Sequence, residues 1–410
     1  MTTYLRFDDK ETRTARRGRD VFAPFKEFWD DFAKNLTDHY IPGPFITIDE
    51  QLVPFRGRCS FLQYLPSKPD RYGLKIFWAV DAENNFPLVA EPYLGKPLGA
   101  QRQVHLGRNV ALRLSTPFFK SGRNITTDNF FTDKDLADSL QNNGLTFVGT
   151  VRANKRFLPE AFKQKKGQEL HASSFVFQDK TTLVNYQSKT TKNVVVMSTM
   201  HHDAVVDPEA PKKKPDIVRF YNGTKGAVDA MDKMAHACST KRVTKRWPMV
   251  MFFNTLDLST IAARIVWQKK FPNDRLSMRD ARVDFIVRVA EQLCLPHMQR
   301  RYMQSTNMSR QLRQTVQLYV DRIGKRGEGV SDGRRSHRAG DKRKRPKQAP
   351  TQKQKGKQGR CGSCDWKLDR KVRNSCSSCC AWLCKDHAII VCQECATSIT
   401  TESSTVIQIK

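Results

Sequence analysis

The chain has 410 residues, a formal net charge of +30 and 11 cysteines. That length is enough for two or more domains, and the excess of positive charge indicates an anionic partner, either nucleic acid or an anionic membrane surface. No membrane span is expected, because the most apolar run, residues 249–267, is interrupted by Asn254, Asp257 and Arg264 and therefore predicts a buried core helix.

The first predicted element is an amphipathic helix over residues 22–40. Phe25, Phe28, Phe32 and Leu36 recur there at helical spacing, so they would form one apolar stripe. A single helix cannot bury that stripe by itself, and its packing partners must come from elsewhere in the chain.

An α/β core is predicted over residues 45–153. Strands are predicted where apolar and β-branched residues cluster between turn residues, and helices where apolar residues recur at helical spacing. Strand, strand, strand, helix, strand, helix, strand is the element order of an RNase H-like domain. The predicted strands are residues 45–55, 72–80, 86–93, a run ending at Thr127 and 145–151, and the predicted helices are residues 110–118 and 133–140.

After the core, the sequence pattern changes first to short β-rich runs and then to helical spacing. Short β-rich runs at residues 173–177, 181–186 and 193–199 predict an inserted β module. Residues 225–238 predict a helix beside the core, and residues 247–322 predict an all-helical region.

A basic linker is predicted over residues 325–360. This segment is rich in Lys and Arg and nearly free of apolar residues, so it cannot bury enough surface to fold by itself. Its basic run, residues 342–347, is typical of a nuclear import signal or a nucleic-acid patch, although a solvated tail has the same composition. We therefore expect the protein to lie in the nucleus.

Acidic residues are carried by two predicted core strands and one predicted helix. Asp49 belongs to the first strand, Asp128 directly follows the fourth, and Asp229 and Asp232 lie three residues apart on the helix. Asp128 alone would be typical of a helix N-cap. Together, the four carboxylates suit two Mg²⁺ ions in phosphoryl transfer, because Mg²⁺ takes oxygen ligands and paired ions clamp the attacking and leaving oxygens.

A cationic segment, residues 240–248, follows the acidic helix. Its cations, hydroxyls and aromatic ring suit phosphate contact and base stacking, although a basic surface turn would look the same. Further cations lie near Asp49, and each of them could also be a solvated charge. The predicted DNA contacts are Arg56, Arg58, Lys68, Lys75, Lys241, Arg242, Lys245, Arg246 and Trp247.

A cysteine-rich module is predicted over residues 361–410. Four ligand pairs, each with two intervening residues, are enough for two tetrahedral Zn²⁺ ions. We expect cross-brace pairing, in which the first and third pairs share one ion and the second and fourth share the other. Sequential pairing and a role for Cys380 in place of Cys379 remain open. The predicted ligands are Cys361, Cys364, Cys376, Cys379, Cys384, His387, Cys392 and Cys395.

Several of these stretches resemble the piggyBac transposase family. The cysteine-rich end is similar to the terminal zinc module of that family. The chain departs from the family pattern at Ala227 and Lys233, where the family usually has Gly and Gln. The resemblance is carried by residues 49–58, 66–69, 72–75, 128–132, 149–152, 221–229 and 245–248.

The resemblance implies an RNase H-like catalytic core with a β insertion, and cut-and-paste DNA transposition at TTAA targets through hairpinned transposon ends. It implies that Asp49, Asp128 and Asp229 are the catalytic acids and that Asp232 is their acidic neighbour. The implied partners are double-stranded DNA and a second copy in a homodimer, without a membrane. The implied domains are a helical dimerisation and DNA-binding remnant (1–44), the core (45–153 and 217–246), the insertion (154–216), a helical DNA-binding part (247–324), the linker (325–360) and the zinc module (361–410).

Two functions of different classes remain open. A metal-dependent transposase is supported by the presence of all four acids. A non-catalytic, transposon-derived DNA- or chromatin-binding protein is supported by the short N-terminal helical part, as expected of a truncated or domesticated copy. A membrane-surface protein would leave the acids and cysteines without a role.

Overall fold

The computed structural model describes residues 4–66, 68–95, 104–163, 169–273, 281–304 and 307–327, together with four two-residue strands nearer the C-terminus. The chain divides into two compact units, Met1–Lys325 and Arg326–Lys410. The helices of the first unit are α1 Arg13–Arg19, α2 Lys26–Asp38, α3 Leu106–Ser115, α4 Lys134–Asn142, α5 Glu160–Lys163, α6 Asp216–Thr224, α7 Ala227–Ala237, α8 Trp247–Lys270 and α9 Ala281–Gln304, with α10 Arg310–Gly327 at its end.

A nine-stranded mixed sheet forms the centre of the first unit. Its order is β2-β3-β1-β5-β6-β9-β8-β7, with β4 paired to β3 outside this path. β5 runs parallel to both β1 and β6, whereas the other pairs are antiparallel. The strands are β1 Phe45–Pro54, β2 Gln63–Tyr64, β3 Tyr72–Asp81, β4 Pro87–Pro92, β5 Asn124–Thr127, β6 Thr146–Val151, β7 Ser173–Gln178, β8 Thr181–Lys189 and β9 Lys192–Ser198.

The predicted element order of the core is confirmed, with one short strand, β2, added between β1 and β3. The strands form where the sequence is apolar and β-branched, and β3 is buried along nearly its whole length. Helix α2 packs on this sheet, with Trp29 and Phe32 edge-on to Trp78 at ring centroid distances of 6.1 and 6.5 Å. The predicted apolar stripe of α2 therefore finds its partner on the sheet.

The three strands of the predicted insertion lie where the sequence indicates, but they do not form a sheet of their own. β9 pairs antiparallel with β6, with Val195 opposite Val151, so β7–β9 continue the core sheet. The helical prediction for residues 225–238 also changes in detail. α6 precedes α7 and the two are separated by Lys225 and Gly226, so Asp229 lies in the first turn of α7.

The long helix α8 is apolar enough and long enough to cross a membrane by length and composition, yet most of its apolar window is buried inside the protein. The predicted buried core helix is therefore confirmed. Helix α10 runs to Gly327, past the predicted start of the linker. Most of that linker, residues 328–358, and all eight predicted zinc ligands lie outside the described residues.

Candidate functional site

Asp49 and Asp128 occupy neighbouring positions at two parallel strands. Ile48 of β1 pairs with Thr127, the last residue of β5, and the residue that follows each of them is an aspartate. Thr126, two residues before Asp128, donates its hydroxyl to Thr224 at the end of α6 across 2.9 Å, which places α6 over this part of the sheet. The parallel register thus brings together two acids that are far apart in the sequence.

Asp128 is held by a turn and does not cap a helix. Its Oδ1 accepts a hydrogen bond from the backbone N–H of Phe130 at 2.8 Å, and its carbonyl accepts one from the Thr132 hydroxyl at 2.8 Å. The N-cap of α4 is Asp133, whose side chain accepts from the backbone N–H of Asp135. The helix-cap interpretation of Asp128 is therefore wrong, and its carboxylate is left with unused acceptor capacity.

The electrostatics of this pair favour a bound cation. Burial raises the pKa of Asp49 to about 8, and the charges of Glu50 and Asp128 act in the same direction. Burial also raises the pKa of Asp128, again with a contribution from Glu50. Partly buried carboxylates that repel one another in this way are the donor set that a divalent cation would stabilise.

The two acids of α7 are linked to β1 by different partners. Lys68 lies with its Nζ 3.6 Å from Oδ1 of Asp229, and the same Nζ donates to the carbonyl of Glu50 at 3.3 Å. Asp232 accepts a hydrogen bond from Nε2 of Gln51 at 2.7 Å. Both carboxylates therefore lie beside the part of β1 that carries Asp49.

The four predicted acids do not converge on one point. In the part of the chain that the structure describes, no three His, Cys, Asp or Glu side chains lie close enough together to hold one metal ion. Asp49 and Asp128 are brought together, whereas the exposed Asp229 is paired with Lys68. Their role as ligands of two Mg²⁺ ions stays a prediction.

Sequence reasoning missed a buried polar network around Gln51. Its Oε1 accepts from Trp78 Nε1 at 3.0 Å, and its amide exchanges two 3.2 Å hydrogen bonds with Asn254 of α8. Gln51 therefore connects Asp232 to the sheet and to α8. The only sequence signal was a polar residue at a buried strand position.

Tyr221 is a second residue that sequence reasoning did not assign to the site. It is buried at the end of α6, with its hydroxyl 3.3 Å from Oγ1 of Thr150. Burial raises its pKa to about 12, and the charges of Asp128 and Asp49 contribute. Its phenol therefore stays protonated beside the two acids.

Lys75 is predicted to contact DNA, but the structure places its side chain inside the protein. It is buried on β3 with its Nζ 4.6 Å from the ring centroid of Phe77 and 4.7 Å from that of Phe130. The same Nζ lies 3.8 Å from Oε2 of Glu50. A cation in this position compensates the charge of the acids from inside the protein, and it is not a solvated side chain.

The cationic segment before α8 is anchored by one buried acid. Asp257 of α8 accepts hydrogen bonds from the Ser239 hydroxyl and from the backbone N–H and hydroxyl of Thr240, each at 2.8 Å. Lys241, Arg242 and Lys245 follow this anchor on the surface. Of the remaining predicted contacts, Arg56 and Arg58 are exposed on the loop after β1, with Arg56 over the Tyr72 ring, and Arg246 is half-buried at the start of α8.

Trp247 packs against two other aromatic rings. Its ring stacks on Phe22 at a centroid distance of 5.5 Å and meets Phe61 edge-on at 5.0 Å. These contacts join α8 to the N-terminal segment and to the loop after β1. The ring is only half-buried and also lines a cavity open to solvent, so its role in base stacking stays a prediction.

Comparisons with known proteins agree with this architecture. A family model described as transposase IS4 matches residues 1–263. Human piggyBac transposable element-derived protein 3 is 26% identical over 218 residues, which make up 50% of this chain and 37% of that protein. Human piggyBac transposable element-derived protein 2 is 22% identical over 303 residues, which make up 69% of this chain and 49% of that protein. The chain thus spans less than half the length of these two relatives.

A solved structure gives a broader match. The cryo-EM structure of a piggyBac transposase synaptic complex with hairpin DNA superposes with a TM-score of 0.72 and 32% sequence identity, covering 96% of this chain and 78% of the other. With the family model, the curated relatives and this structural match in agreement, the chain belongs to the piggyBac transposase family.

Proposed function

We propose that the protein is a metal-dependent DNA transposase that cleaves and joins DNA strands at transposon ends and TTAA targets. The observation that carries this proposal is the pair Asp49 and Asp128, placed side by side by the parallel register of β1 and β5, with burial raising the pKa of both carboxyl groups. We assign the core β4-β3-β1-β5-β6, with α3 and α4, to an RNase H-like fold. The DNA partner is supported by the net charge of +30 and by the DNA complex of the structural relative.

The acids would hold two Mg²⁺ ions. Asp49 and Asp128 would supply the strand ligands, and Asp229 and Asp232 the helix ligands. When bound, such ions supply Lewis acidity and charge neutralisation for phosphoryl transfer. The chain itself orients the acids: the Phe130 N–H fixes Asp128, and Gln51 fixes Asp232. The ammonium of Lys68 would leave Asp229 as the site is assembled.

The remaining assignments belong to the same proposal. We assign two Zn²⁺ ions to the cysteine-rich module, a homodimer to the active assembly and the nucleus to its location. The basic run at residues 342–347 supports the nuclear assignment.

A second candidate function is a transposon-derived protein that binds DNA or chromatin without cutting it. One observation favours it: Asp229 is exposed and paired with Lys68, apart from Asp49 and Asp128. In that case the cations would still bind phosphates, while the acids would serve only the fold.

Cleavage of a pre-nicked, TTAA-flanked transposon end in Mg²⁺ tests the first candidate. Asp128→Asn removes the charge but keeps an acceptor for the Phe130 N–H, and Asp135→Asn on the surface of α4 is the matched control. We expect hairpin formation by the wild-type chain and the control, and none by Asp128→Asn. Binding without cleavage by the wild-type chain would support the second candidate, and cleavage by Asp128→Asn would contradict the proposed site.

A further inference from the structure

A cationic cavity lies beside the start of α8. The cavity is about 370 Å³ and is open to solvent at one side. Three sequence-distant segments form it: the N-terminal segment with α1, the loop after β1, and the segment entering α8. The lining does not include Asp49, Asp128, Asp229 or Asp232. Its cationic lining residues are Arg6, Arg13, Arg17, Arg58, Lys245 and Arg246.

Packing holds this cavity open and in place. Phe7 contacts Phe25, Phe28 and Phe252 at ring centroid distances of 5.0, 5.6 and 5.1 Å, which fixes the N-terminal segment on α2 and α8. Arg246 donates to the carbonyl of Leu5 at 2.7 Å, so the entry to α8 is joined to the same segment. The cations are therefore arranged by the fold.

The loop after β1 approaches the cavity closely because residue 57 is a glycine. A Cβ at Gly57 would lie 2.3 Å from the Phe55 ring and 3.0 Å from the carbonyl of Lys245. A side chain at residue 57 would therefore have to displace the Phe55 ring and would crowd the carbonyl of Lys245. Because Gly57 has no side chain, the loop packs closely enough for both Arg58 and Lys245 to line the cavity.

Cations outnumber carboxylates among the described residues that line the cavity. Asp8 is the carboxylate among them, and its buried side chain is already bonded to Arg13 and Arg16, with Nη2 of Arg16 at 3.0 Å. Burial lowers the pKa of Arg246, and the charges of Arg6 and Arg13 add to this effect. Crowded guanidinium groups around an open cavity are stabilised by a phosphate, which accepts their forked N–H donors.

We propose that this cavity, the Arg6–Arg246 pocket, binds a phosphodiester group of the DNA backbone at a subsite separate from the acids. This inference rests on the proposed DNA-binding function and adds Arg6, Arg13 and Arg17 to the predicted contacts. Guanidinium groups contact phosphate oxygens, which are the same at every base pair. The pocket therefore fixes register on the backbone without reading sequence.

The test compares Arg17→Ala with Arg19→Ala in the full chain. Both residues are exposed on α1, but only Arg17 lines the cavity. Duplex DNA affinity is measured by fluorescence anisotropy over a series of salt concentrations. We expect Arg17→Ala to weaken binding by about threefold to tenfold and to reduce the slope of log K against log salt by about 1, as for one lost phosphate contact. Arg19→Ala should match the wild type.

A second arm uses inorganic phosphate with each chain at constant ionic strength. We expect phosphate to raise the melting temperature of the wild type and the Arg19→Ala chain more than that of Arg17→Ala. Phosphate stabilisation that depends on Arg17, with unchanged DNA affinity, would overturn the DNA assignment in favour of a small phosphorylated ligand. If the two variants have the same DNA affinity and the same melting-temperature change with phosphate, the proposed phosphate site is wrong. DNA binding elsewhere on the protein would not be affected by that result. A wild-type chain that binds no DNA contradicts the proposed function, and the phosphate arm then still reports on the pocket.

Discussion

Gln51 and Asp232 are joined by a 2.7 Å hydrogen bond from the amide Nε2 to the carboxylate Oδ1, which ties the middle of β1 to the second turn of α7. The two residues are 181 positions apart in the chain. Because Gln51 also bonds Trp78 and Asn254, its amide is the centre of a buried polar network in which each group depends on the others.

Removing that amide should destabilise the protein. We expect Gln51→Leu to lower the free energy of unfolding by about 2–4 kcal/mol, because it leaves the buried indole N–H and the Asn254 amide without partners. Urea denaturation followed by tryptophan fluorescence measures the change. Gln63→Leu is the control, since that amide bonds to the carbonyls of Phe61 and Leu62, its near neighbours in the sequence. Equal stability of the two variants would contradict the network.

The raised pKa of Asp49 makes stability depend on pH in a defined direction. Its folded pKa of about 8 lies above the ordinary value of 3.8, so the native state holds more protons between these values and stability falls as pH rises through that window. Without metal, we expect Asp49→Asn to be more stable than the wild type by about 1–3 kcal/mol at pH 8, with a smaller difference at pH 4.

Thermal unfolding in EDTA at both pH values measures this difference. Asp135→Asn is the control, because that carboxylate is exposed on the surface of α4. Adding Mg²⁺ at pH 8 should stabilise the wild type more than Asp49→Asn. If the variant is less stable than the wild type at pH 8, ionisation of Asp49 does not destabilise the folded protein, and the prediction is wrong.

Lys75 should matter to the fold beneath the site. Lys75→Met keeps most of the side-chain volume but leaves Glu50, Asp49 and Asp128 without their internal cation. We expect a loss of about 1–3 kcal/mol in the free energy of unfolding without metal, since removing one partner leaves a half-buried charge uncompensated. Because the acids repel one another more strongly in this variant, added Mg²⁺ should restore part of the loss. Lys120→Met on the surface is the control, and an equally small effect of both changes would contradict this role.

Asp257 should control the order of the cationic segment. Asp257→Ala removes the acceptor of three hydrogen bonds from Ser239 and Thr240. We expect faster tryptic cleavage at Lys241, Arg242 and Lys245, with cleavage elsewhere unchanged, because local opening of this segment becomes easier. Mass spectrometry of a digestion time course measures it. Thr260→Ala, one turn along α8, is the matched control, and equal rates would show that the anchor lies elsewhere.

The sequence predicts the core elements well because their patterns are local. Apolar and β-branched runs mark β1, β3 and β6, helical spacing marks α2, and a long apolar run marks α8, each within a few residues. The sequence places Asp49 on a strand and Asp128 directly after one, but their proximity depends on the parallel pairing of β1 with β5, which only the structure shows.

The differences concern side chains whose environment depends on pairing across the chain. Trp247 looks like a surface aromatic among cations, but its ring also packs against Phe22 and Phe61. Lys75 looks like one more surface cation, but its strand is buried and Glu50 lies opposite its ammonium. Gln51 has no motif that marks it. In each case the partner lies on a different element, so no local pattern could reveal it.

The continuation of the sheet through β9 has a consequence for local unfolding. β1 and β5 lie in the interior of the sheet, with β3 on one side and β6, β9, β8 and β7 on the other. Fraying starts at edge strands, whose amides exchange with solvent first, so β7 can open while the ladder between Ile48 and Thr127 stays closed. We therefore expect the amides around the acidic pair to exchange more slowly than those of β7, and the strands added beyond β6 keep β6 from being an open edge that could pair with another chain.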